Sequence, residues 1–126
     1  MALNTNSWQP LAYMNVPRRA MAAVTLPDGI YVIGGYDGNK YLKSMEKFEV
    51  RMGKWVNLAN MKYARCTLSA VASPDCQYIY SIGGFNGTAL NVVERYSVVE
   101  DTWTEVRPMM EPRFMHASAI FTENSN

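Results

Sequence analysis

The stretch IYVIGGYDG, residues 30–38, decides the fold of this chain, because IYSIGGFNG repeats it at residues 79–87. Each copy starts with four mostly apolar, β-preferring residues, a length that suits a strand better than a helix. Each strand then ends at a glycine pair, where the missing Cβ atoms let another backbone approach closely. The Asp-Gly or Asn-Gly that follows is a strong turn signal. A strand that ends and turns in the same way twice predicts a repeat protein.

Tryptophans recur at nearly constant spacing along the chain and set the period of the repeat, at Trp8, Trp55 and Trp103. Each is followed at fixed offsets by a methionine and an arginine. The second and third are also preceded by a glutamate and an aromatic residue. Positions that recur in this way are predicted to be structural. They are Gly34, Gly35, Gly83, Gly84, Trp55, Trp103, Phe48, Tyr96, Glu46, Glu94, Arg18, Arg65 and Arg113.

Each period contains four segments with the length and composition of β-strands. They are residues 20–25, 30–34, 44–49 and 54–58 in the first period, and 67–72, 78–83, 92–97 and 102–106 in the second. Alternate side chains of a strand point to opposite faces, so Ile30 with Val32 and Tyr31 with Ile33 make both faces apolar. Such a sheet must be covered on both sides. The sequence therefore predicts an all-β fold, with four-stranded antiparallel sheets stacked as blades of a β-propeller.

The glycine pairs, the aromatic residue at Phe48 or Tyr96 and the tryptophan that follows together resemble the kelch repeat. The resemblance covers essentially the whole chain and implies a β-propeller with one repeat per blade. Phe48, where tyrosine is usual, and Arg51-Met52-Gly53, where an acidic-polar turn is common, depart from the pattern.

The repeat boundaries predict four parts of the chain. Residues 1–17 end a preceding blade, 18–64 and 65–112 are two complete repeats, and 113–126 form the first strand of a following blade. Two repeats are too few to close a ring. The chain is therefore either a fragment, the preferred interpretation, or a subunit that self-associates to complete the propeller. Two blades alone are expected to expose two apolar sheet faces, which favour association.

Composition argues against several classes of function. With 48% apolar and 18% charged residues, a packed core is expected. A net charge of +1 does not suggest nucleic-acid binding. No apolar run is long enough to cross a bilayer, and the first residues lack the pattern of a signal peptide. Two cysteines, Cys66 and Cys76, form no disulfide framework, so the expected compartment is the reducing cytosol.

Catalytic chemistry has little support in the sequence. His116 is the one histidine, which leaves no histidine cluster for a metal and no second imidazole for a proton relay. Cys66 follows Arg65, a neighbourhood that can activate a thiol, but a semi-buried structural thiol is the preferred interpretation. We expect no enzyme activity, no cofactor and no metal. Propeller oxidases built on related repeats need a cluster of metal ligands, so a fragment of such an enzyme is a distant alternative.

The charged residues that recur in the pattern are predicted to pair. A glutamate and an arginine kept in a mostly buried architecture need partners. We expect the arginines to tie one strand connection to a neighbouring strand, either by an ion pair or by bonds to backbone carbonyl groups.

Strand order also predicts a binding surface. In a four-stranded antiparallel sheet, the loop between the second and third strands and the connection to the next sheet leave at the same end. We call this end the loop face. It collects aromatic, arginine and amide side chains, which protein-binding surfaces favour. Its predicted partner-binding residues are Tyr36, Asn39, Lys40, Tyr41, Phe85, Asn86, Thr88, Arg19 and Phe114. Alternatively, Tyr36 and Phe85 only pack the turns.

The sequence thus predicts a non-catalytic module that binds a protein or peptide partner. The resemblance implies two more specific roles. Many intracellular kelch proteins combine the propeller with a BTB domain and act as substrate receptors of cullin-type ubiquitin ligases, whereas others bind actin or the cytoskeleton. An upstream BTB domain in the reading frame would favour the first role.

Overall fold

The structure is a computed structural model that describes residues 13–107, and these form two four-stranded antiparallel sheets. The first sheet contains β1 (Ala22–Leu26), β2 (Gly29–Ile33), β3 (Met45–Glu49) and β4 (Lys54–Leu58). The second contains β5 (Ser69–Ala72), β6 (Tyr78–Ile82), β7 (Val93–Ser97) and β8 (Thr102–Val106). Within each sheet the strands lie in chain order. The predicted all-β fold of four-stranded antiparallel blades is confirmed.

The first strand of each sheet begins two residues later than predicted. The prediction included Ala20 and Thr67, but the strands begin at Ala22 and Ser69. Ala20 and Thr67 have φ angles of 57° and 49°, outside the β region. This backbone turn serves a contact, because the Thr67 N–H donates to the Ala20 carbonyl oxygen at 2.7 Å.

The turn between β1 and β2 is tighter than predicted. The predicted strands, 20–25 and 30–34, leave residues 26–29 for the turn, but Leu26 and Gly29 pair with each other as strand residues. Only Pro27 and Asp28 remain in the turn. A two-residue connection is the commonest way to join antiparallel strands.

The glycine pairs bring the connections close to the sheets. A Cβ atom on Gly35 would lie 2.9 Å from the Arg19 carbonyl oxygen, and one on Gly84 would lie 2.8 Å from that of Cys66. Both glycines also have positive φ, 110° and 108°. Any side chain at these positions would push the connection away from the strand end.

The main core lies between the two sheets, which approach each other along β1 and β5. The first sheet, the second sheet and the chain between them all contribute to it. Its buried members are Ala22, Val24, Leu26, Tyr31, Ile33, Met45, Met61, Leu68, Ile79 and Tyr96. Across this interface the rings of Tyr31 and Tyr96 lie 6.4 Å apart. The second sheet therefore covers one apolar face of the first, as the strand pattern predicts.

The outward faces of the two sheets are also buried at their centres. Phe48 on the first sheet is 5% exposed, and Val93 on the second is 0% exposed. Residues 13–18 lie against the first face, where they bond to Glu46. The expectation of two exposed apolar faces therefore does not hold at these centres. The exposed large apolar side chains of the described residues are Tyr13, Val50, Met52 and Val99.

Candidate functional site

A buried ion pair joins each sheet to the chain segment that precedes it. Arg18 Nη2 lies 2.9 Å from Glu46 Oε2, and Arg65 Nη2 lies 3.0 Å from Glu94 Oε2. All four side chains are fully buried. The structure thus brings together the arginines and glutamates that recur in the sequence. Arg113 lies outside the described residues.

The same glutamates also bind the backbone of the preceding segment. Glu46 accepts from the Asn15 and Val16 N–H groups at 2.7 and 3.1 Å. Glu94 accepts from the two residues at the equivalent positions, Lys62 and Tyr63, at 2.8 and 3.3 Å. A buried carboxylate needs several donors to offset its lost hydration. Each glutamate therefore clamps the segment and its arginine together.

Each guanidinium also bonds to carbonyl groups at the strand ends. Arg65 donates to the Gly83 carbonyl oxygen at 2.6 Å and to the Ser81 hydroxyl at 2.6 Å. Arg18 donates to the Gly34 carbonyl oxygen and the Ser44 hydroxyl at 2.9 and 3.0 Å. Burial lowers the pKa of Arg65, and the neighbouring Glu94 opposes that shift. The sequence analysis missed the two serines because they occupy different positions in the repeats: Ser44 directly precedes β3, whereas Ser81 lies within β6.

These clamps place the loop face at one end of both sheets. Arg19 and Tyr36 exchange two main-chain hydrogen bonds, at 3.0 and 2.9 Å. Cys66 and Phe85 exchange the equivalent pair, both at 2.9 Å. In each repeat, the segment that enters the sheet is therefore paired with the loop that follows the glycine pair. The two sets of loops lie together, as the strand order predicts.

Three aromatic rings and one guanidinium form a row across both repeats, which we call the aromatic ridge (Arg19, Tyr36, Tyr41 and Phe85). Arg19 Cζ lies 5.5 Å from the centre of the Tyr36 ring. The Tyr36 and Tyr41 rings are 5.2 Å apart, and the Tyr41 and Phe85 rings meet edge to face at 6.1 Å. The rings are half-buried and Arg19 is exposed. Each ring thus packs its turn and still presents accessible surface.

The remaining predicted binding residues lie on exposed turns beside the ridge. They are Asn39, Lys40, Asn86 and Thr88. Asp37 shapes the first turn, since its carboxylate accepts from the N–H groups of residues 39 and 40, both at 2.8 Å. These hydrogen bonds lower the pKa of Asp37. Phe114 lies outside the described residues.

The loop face carries more uncommitted positive than negative charge. Arg19, Lys40 and Lys43 are exposed, and no ion pair engages them among residues 13–107. The Asp37 carboxylate bonds to its own turn. A pocket of about 240 Å³ lies at the end of the ridge, where Arg19, Tyr36 and Gly38 form part of its wall. Its free donors are suited to an acceptor group on a partner.

A larger cleft, about 670 Å³, lies at the opposite end of the first sheet. Three of its four charged lining residues pair with one another, since Lys47 Nζ lies 2.8 Å from Asp28 and 2.9 Å from Glu49, and only Arg51 has no ion pair among residues 13–107. These carboxylates raise the pKa of Lys47, although burial opposes the shift. The cleft offers few free polar groups, so the loop face is the better candidate for a binding site despite its smaller pocket.

Metal-ligand clusters and membrane-spanning helices are both absent from the part of the chain that the structure describes. Residues 13–107 contain no group of three or more side chains that could hold a metal ion. No helix in this part of the chain is long and apolar enough to cross a membrane. Cys66 and Cys76 are free thiols, and Cys66 is buried. His116 lies outside the described residues.

Comparisons with known proteins agree with the repeat. Residues 17–62 and 65–110 each match the family described as Kelch motif, so the predicted resemblance is confirmed. The predicted repeat boundaries, 18–64 and 65–112, stay predictions.

Three relatives illustrate the similarity. The chain is 30% identical over 106 residues to a RING finger domain and kelch repeat-containing protein of Dictyostelium discoideum, covering 81% of this chain and 10% of that protein. It is 32% identical over 103 residues to a kelch repeat and BTB domain-containing protein of Caenorhabditis elegans, covering 79% and 18%. It is 30% identical over 115 residues to alpha-scruin of Limulus polyphemus, covering 84% and 12%. The chain therefore spans less than a fifth of the length of each of these relatives.

Proposed function

This chain belongs to the kelch-repeat family, and we propose that it is a non-catalytic interaction module whose loop face binds a protein or peptide partner. The aromatic ridge carries the proposal. It places three accessible rings and an arginine side by side, and aromatic residues and arginine are enriched where binding energy concentrates at interfaces.

The frame beneath the ridge supports such a role. Reciprocal main-chain hydrogen bonds hold Arg19 to Tyr36 and Phe85 to Cys66. Arg19 and Cys66 each directly follow an arginine of a buried glutamate clamp. A site whose residues are ordered before binding loses less conformational entropy when the partner arrives. The ridge also spans both repeats, so one partner segment would contact two blades.

The charge of the loop face favours partners with acceptor groups. Arg19, Lys40 and Lys43 have no ion-pair partner among residues 13–107, whereas the nearby Asp37 is engaged in its own turn. Carboxylate or carbonyl groups of a partner would bond to these donors, while its apolar groups pack on the rings.

We further propose that the module serves as the substrate-recognition part of a BTB-kelch type adaptor of a cullin ubiquitin ligase, in the cytosol. Support comes from the relatives, two of which are named for a BTB domain or a RING finger domain beside their kelch repeats. Association with actin or the cytoskeleton is the alternative. Co-sedimentation with filamentous actin separates the two, since an adaptor would stay in the supernatant.

Site-resolved crosslinking tests the loop face. Tyr41 is replaced by a photoreactive phenylalanine analogue, and Val99, an exposed apolar residue in the turn at the other end of β7, receives it as the control. Protein adducts are expected from position 41 and not from position 99. Equal adducts from the two positions would overturn the proposal.

A paired substitution tests the ridge itself. Tyr36→Ala with Phe85→Ala is expected to weaken capture of the crosslinked partner by more than about tenfold, since a single interface hot spot contributes about 2 kcal/mol. Val50→Ala with Val99→Ala, at exposed positions away from the ridge, is the matched control and should leave capture unchanged. Circular dichroism confirms that both variants remain folded.

A further inference from the structure

Two chain segments lead into the two sheets, and each is held in a similar way to the sheet that follows it. The second segment also bonds back to the first repeat, where the Met61 and Arg65 N–H groups donate to carbonyl oxygens at 2.7 and 3.0 Å. The first connection, residues 13–21, enters β1, and the second connection, residues 59–68, joins β4 to β5. Each carries an arginine and two N–H groups bound to a buried glutamate of the sheet that follows. The distances are nearly equal, so the glutamate clamps do not distinguish the two connections.

The second connection has an additional attachment, which we call the Asp101 latch. The Ala59 N–H donates to Asp101 Oδ1 at 2.9 Å, and the Ala59 carbonyl oxygen accepts from Trp103 Nε1 at 2.9 Å. Tyr96 completes the latch, because its hydroxyl donates to Asp101 Oδ1 at 2.7 Å. The same hydrogen bond contributes to the raised pKa of Tyr96, although burial is the larger cause. The second sheet therefore binds both backbone polar groups of Ala59, the first residue of the second connection.

The first sheet cannot form the carboxylate part of this latch. Gly53 occupies the position of Asp101, and both residues have left-handed φ angles, 67° and 56°. Phe48 occupies the position of Tyr96, with the same pairing to a tryptophan on the next strand. Glycine has no carboxylate and phenylalanine has no hydroxyl. The two departures from the kelch pattern are thus coupled, because losing both groups together leaves no buried polar group unpaired.

A second set of contacts also attaches the second connection to its sheet more firmly than the first. In the first connection, Asn15 Nδ2 donates to Asn57 Oδ1 at 3.2 Å, a bond between neutral groups. In the second, Glu105 accepts from Lys62 Nζ at 3.3 Å and from the Tyr63 hydroxyl at 3.2 Å. These contacts are exposed and each contributes little, but both differences favour the second connection.

We propose that the first connection detaches from its sheet more readily than the second, and that the Asp101 latch contributes to the difference. Arg19 lies on the first connection, so its opening separates Arg19 from Tyr36. Cys66 and Phe85, held by the latched connection, stay paired. The loop face then has one adaptable half and one rigid half, and this holds whether or not a partner binds there.

Amide hydrogen exchange measured by NMR on the whole chain tests the proposal with two matched donors. The Arg19 N–H donates to the Tyr36 carbonyl oxygen at 3.0 Å, and the Cys66 N–H donates to the Phe85 carbonyl oxygen at 2.9 Å. After correction for intrinsic rates, Arg19 is expected to exchange about tenfold faster, since the Asp101 carboxylate and the Tyr96 hydroxyl have no counterpart at Gly53 and Phe48. Equal or reversed protection would overturn the proposal.

Removing the latch shows whether it causes the slower exchange at Cys66, or whether the different positions of Cys66 and Arg19 in the chain do. The variant Tyr96→Phe with Asp101→Gly gives the second repeat the residues of the first. Exchange at Cys66 is expected to rise about tenfold, towards the rate at Arg19, while the Arg19 rate changes less than about twofold. Val99→Ala, in the same turn, is the control and should change neither rate. Unchanged exchange at Cys66 in a folded variant would show that the latch does not hold the connection.

Should the double variant fail to fold, Asp101→Asn gives a milder test. Asparagine tolerates the left-handed backbone and keeps one acceptor, but it loses the charge. Exchange at Cys66 should then rise less than about tenfold but more than in Val99→Ala. A rate equal to that of Val99→Ala would overturn the proposal.

Discussion

Removing the Arg65 side chain offers the sharpest test of how the blades are held together. The guanidinium is fully buried, lies 3.0 Å from Glu94 and donates to Ser81 and Gly83 at 2.6 Å each. In Arg65→Ala, the Glu94 carboxylate stays buried with two backbone N–H groups as its described donors. Breaking a buried pair on one side costs about 3–5 kcal/mol, so we expect the free energy of unfolding to fall by that amount.

The matched control is Lys62→Ala, which removes the nearby pair with Glu105. The Lys62 side chain is 66% exposed, so solvent screens this pair and its contribution to stability should be small. Thermal and urea denaturation, each followed by circular dichroism, compare both variants. A midpoint temperature lower by about 10 °C or more is expected for Arg65→Ala, and little change for the control.

A double variant distinguishes the buried charge from simple loss of packing. Arg65→Met with Glu94→Leu removes both charges and keeps apolar volume at the site. Replacing both members of a buried pair is often neutral, so the double variant should be more stable than Arg65→Ala alone. Our reasoning would be refuted if Arg65→Ala unfolded at the same urea concentration as Lys62→Ala, or if the double variant were the least stable of the three.

Four further predictions follow from the structure. Gly35→Ala should lower the free energy of unfolding by about 1–3 kcal/mol, because its Cβ would meet the Arg19 carbonyl oxygen at 2.9 Å in a left-handed backbone. Gly53→Ala is the control, since nothing lies within 4 Å of a Cβ there, and urea denaturation compares the two variants. Burial, with a hydrogen bond to Asp28, raises the pKa of Tyr31 from 10.0 to about 12. The neutral hydroxyl therefore stabilises the fold below pH 10, and this contribution is lost as pH rises through 12. Tyr31→Phe should make the free energy of unfolding less dependent on pH between 10 and 12, as measured by urea denaturation at several pH values. Partner binding should weaken between low and high salt, with Arg19→Glu abolishing most of that dependence; a salt-independent affinity would contradict the charge argument. Self-association to complete a ring predicts a species heavier than the monomer in sedimentation at micromolar concentration, and a single monomeric species would contradict it.

Much of the fold follows from local patterns in the sequence. Short apolar runs, paired glycines and Asx-Gly turns act within a few residues, so they placed all eight strands to within about two residues of their ends. The strand starts at Ala20 and Thr67 were wrong because their positive φ angles serve a contact between the two connections, 2.7 Å long, that no local pattern reveals.

In the candidate site, too, local patterns predicted some features, whereas contacts between distant residues were missed. Tyr36 and Phe85 could be assigned to one loop face because strand order alone determines which loops share an end. Asp101 was missed, since acidic residues are common in turns and nothing in the spacing shows that this one reaches Ala59. Ser44 and Ser81 were missed because they occupy unrelated positions in the two repeats.

By itself, the sequence determined the repeat, the four-stranded blades and the identity of the loops that gather at one end, because these depend on periodicity and chain order. Only the tertiary structure decided which side chains meet. Examples are the ridge that passes from Tyr36 through Tyr41 to Phe85 and the contact of Asp101 with Ala59. Such contacts join residues of different strands and repeats. Their distances depend on how the sheets pack, which spacing along the chain does not encode.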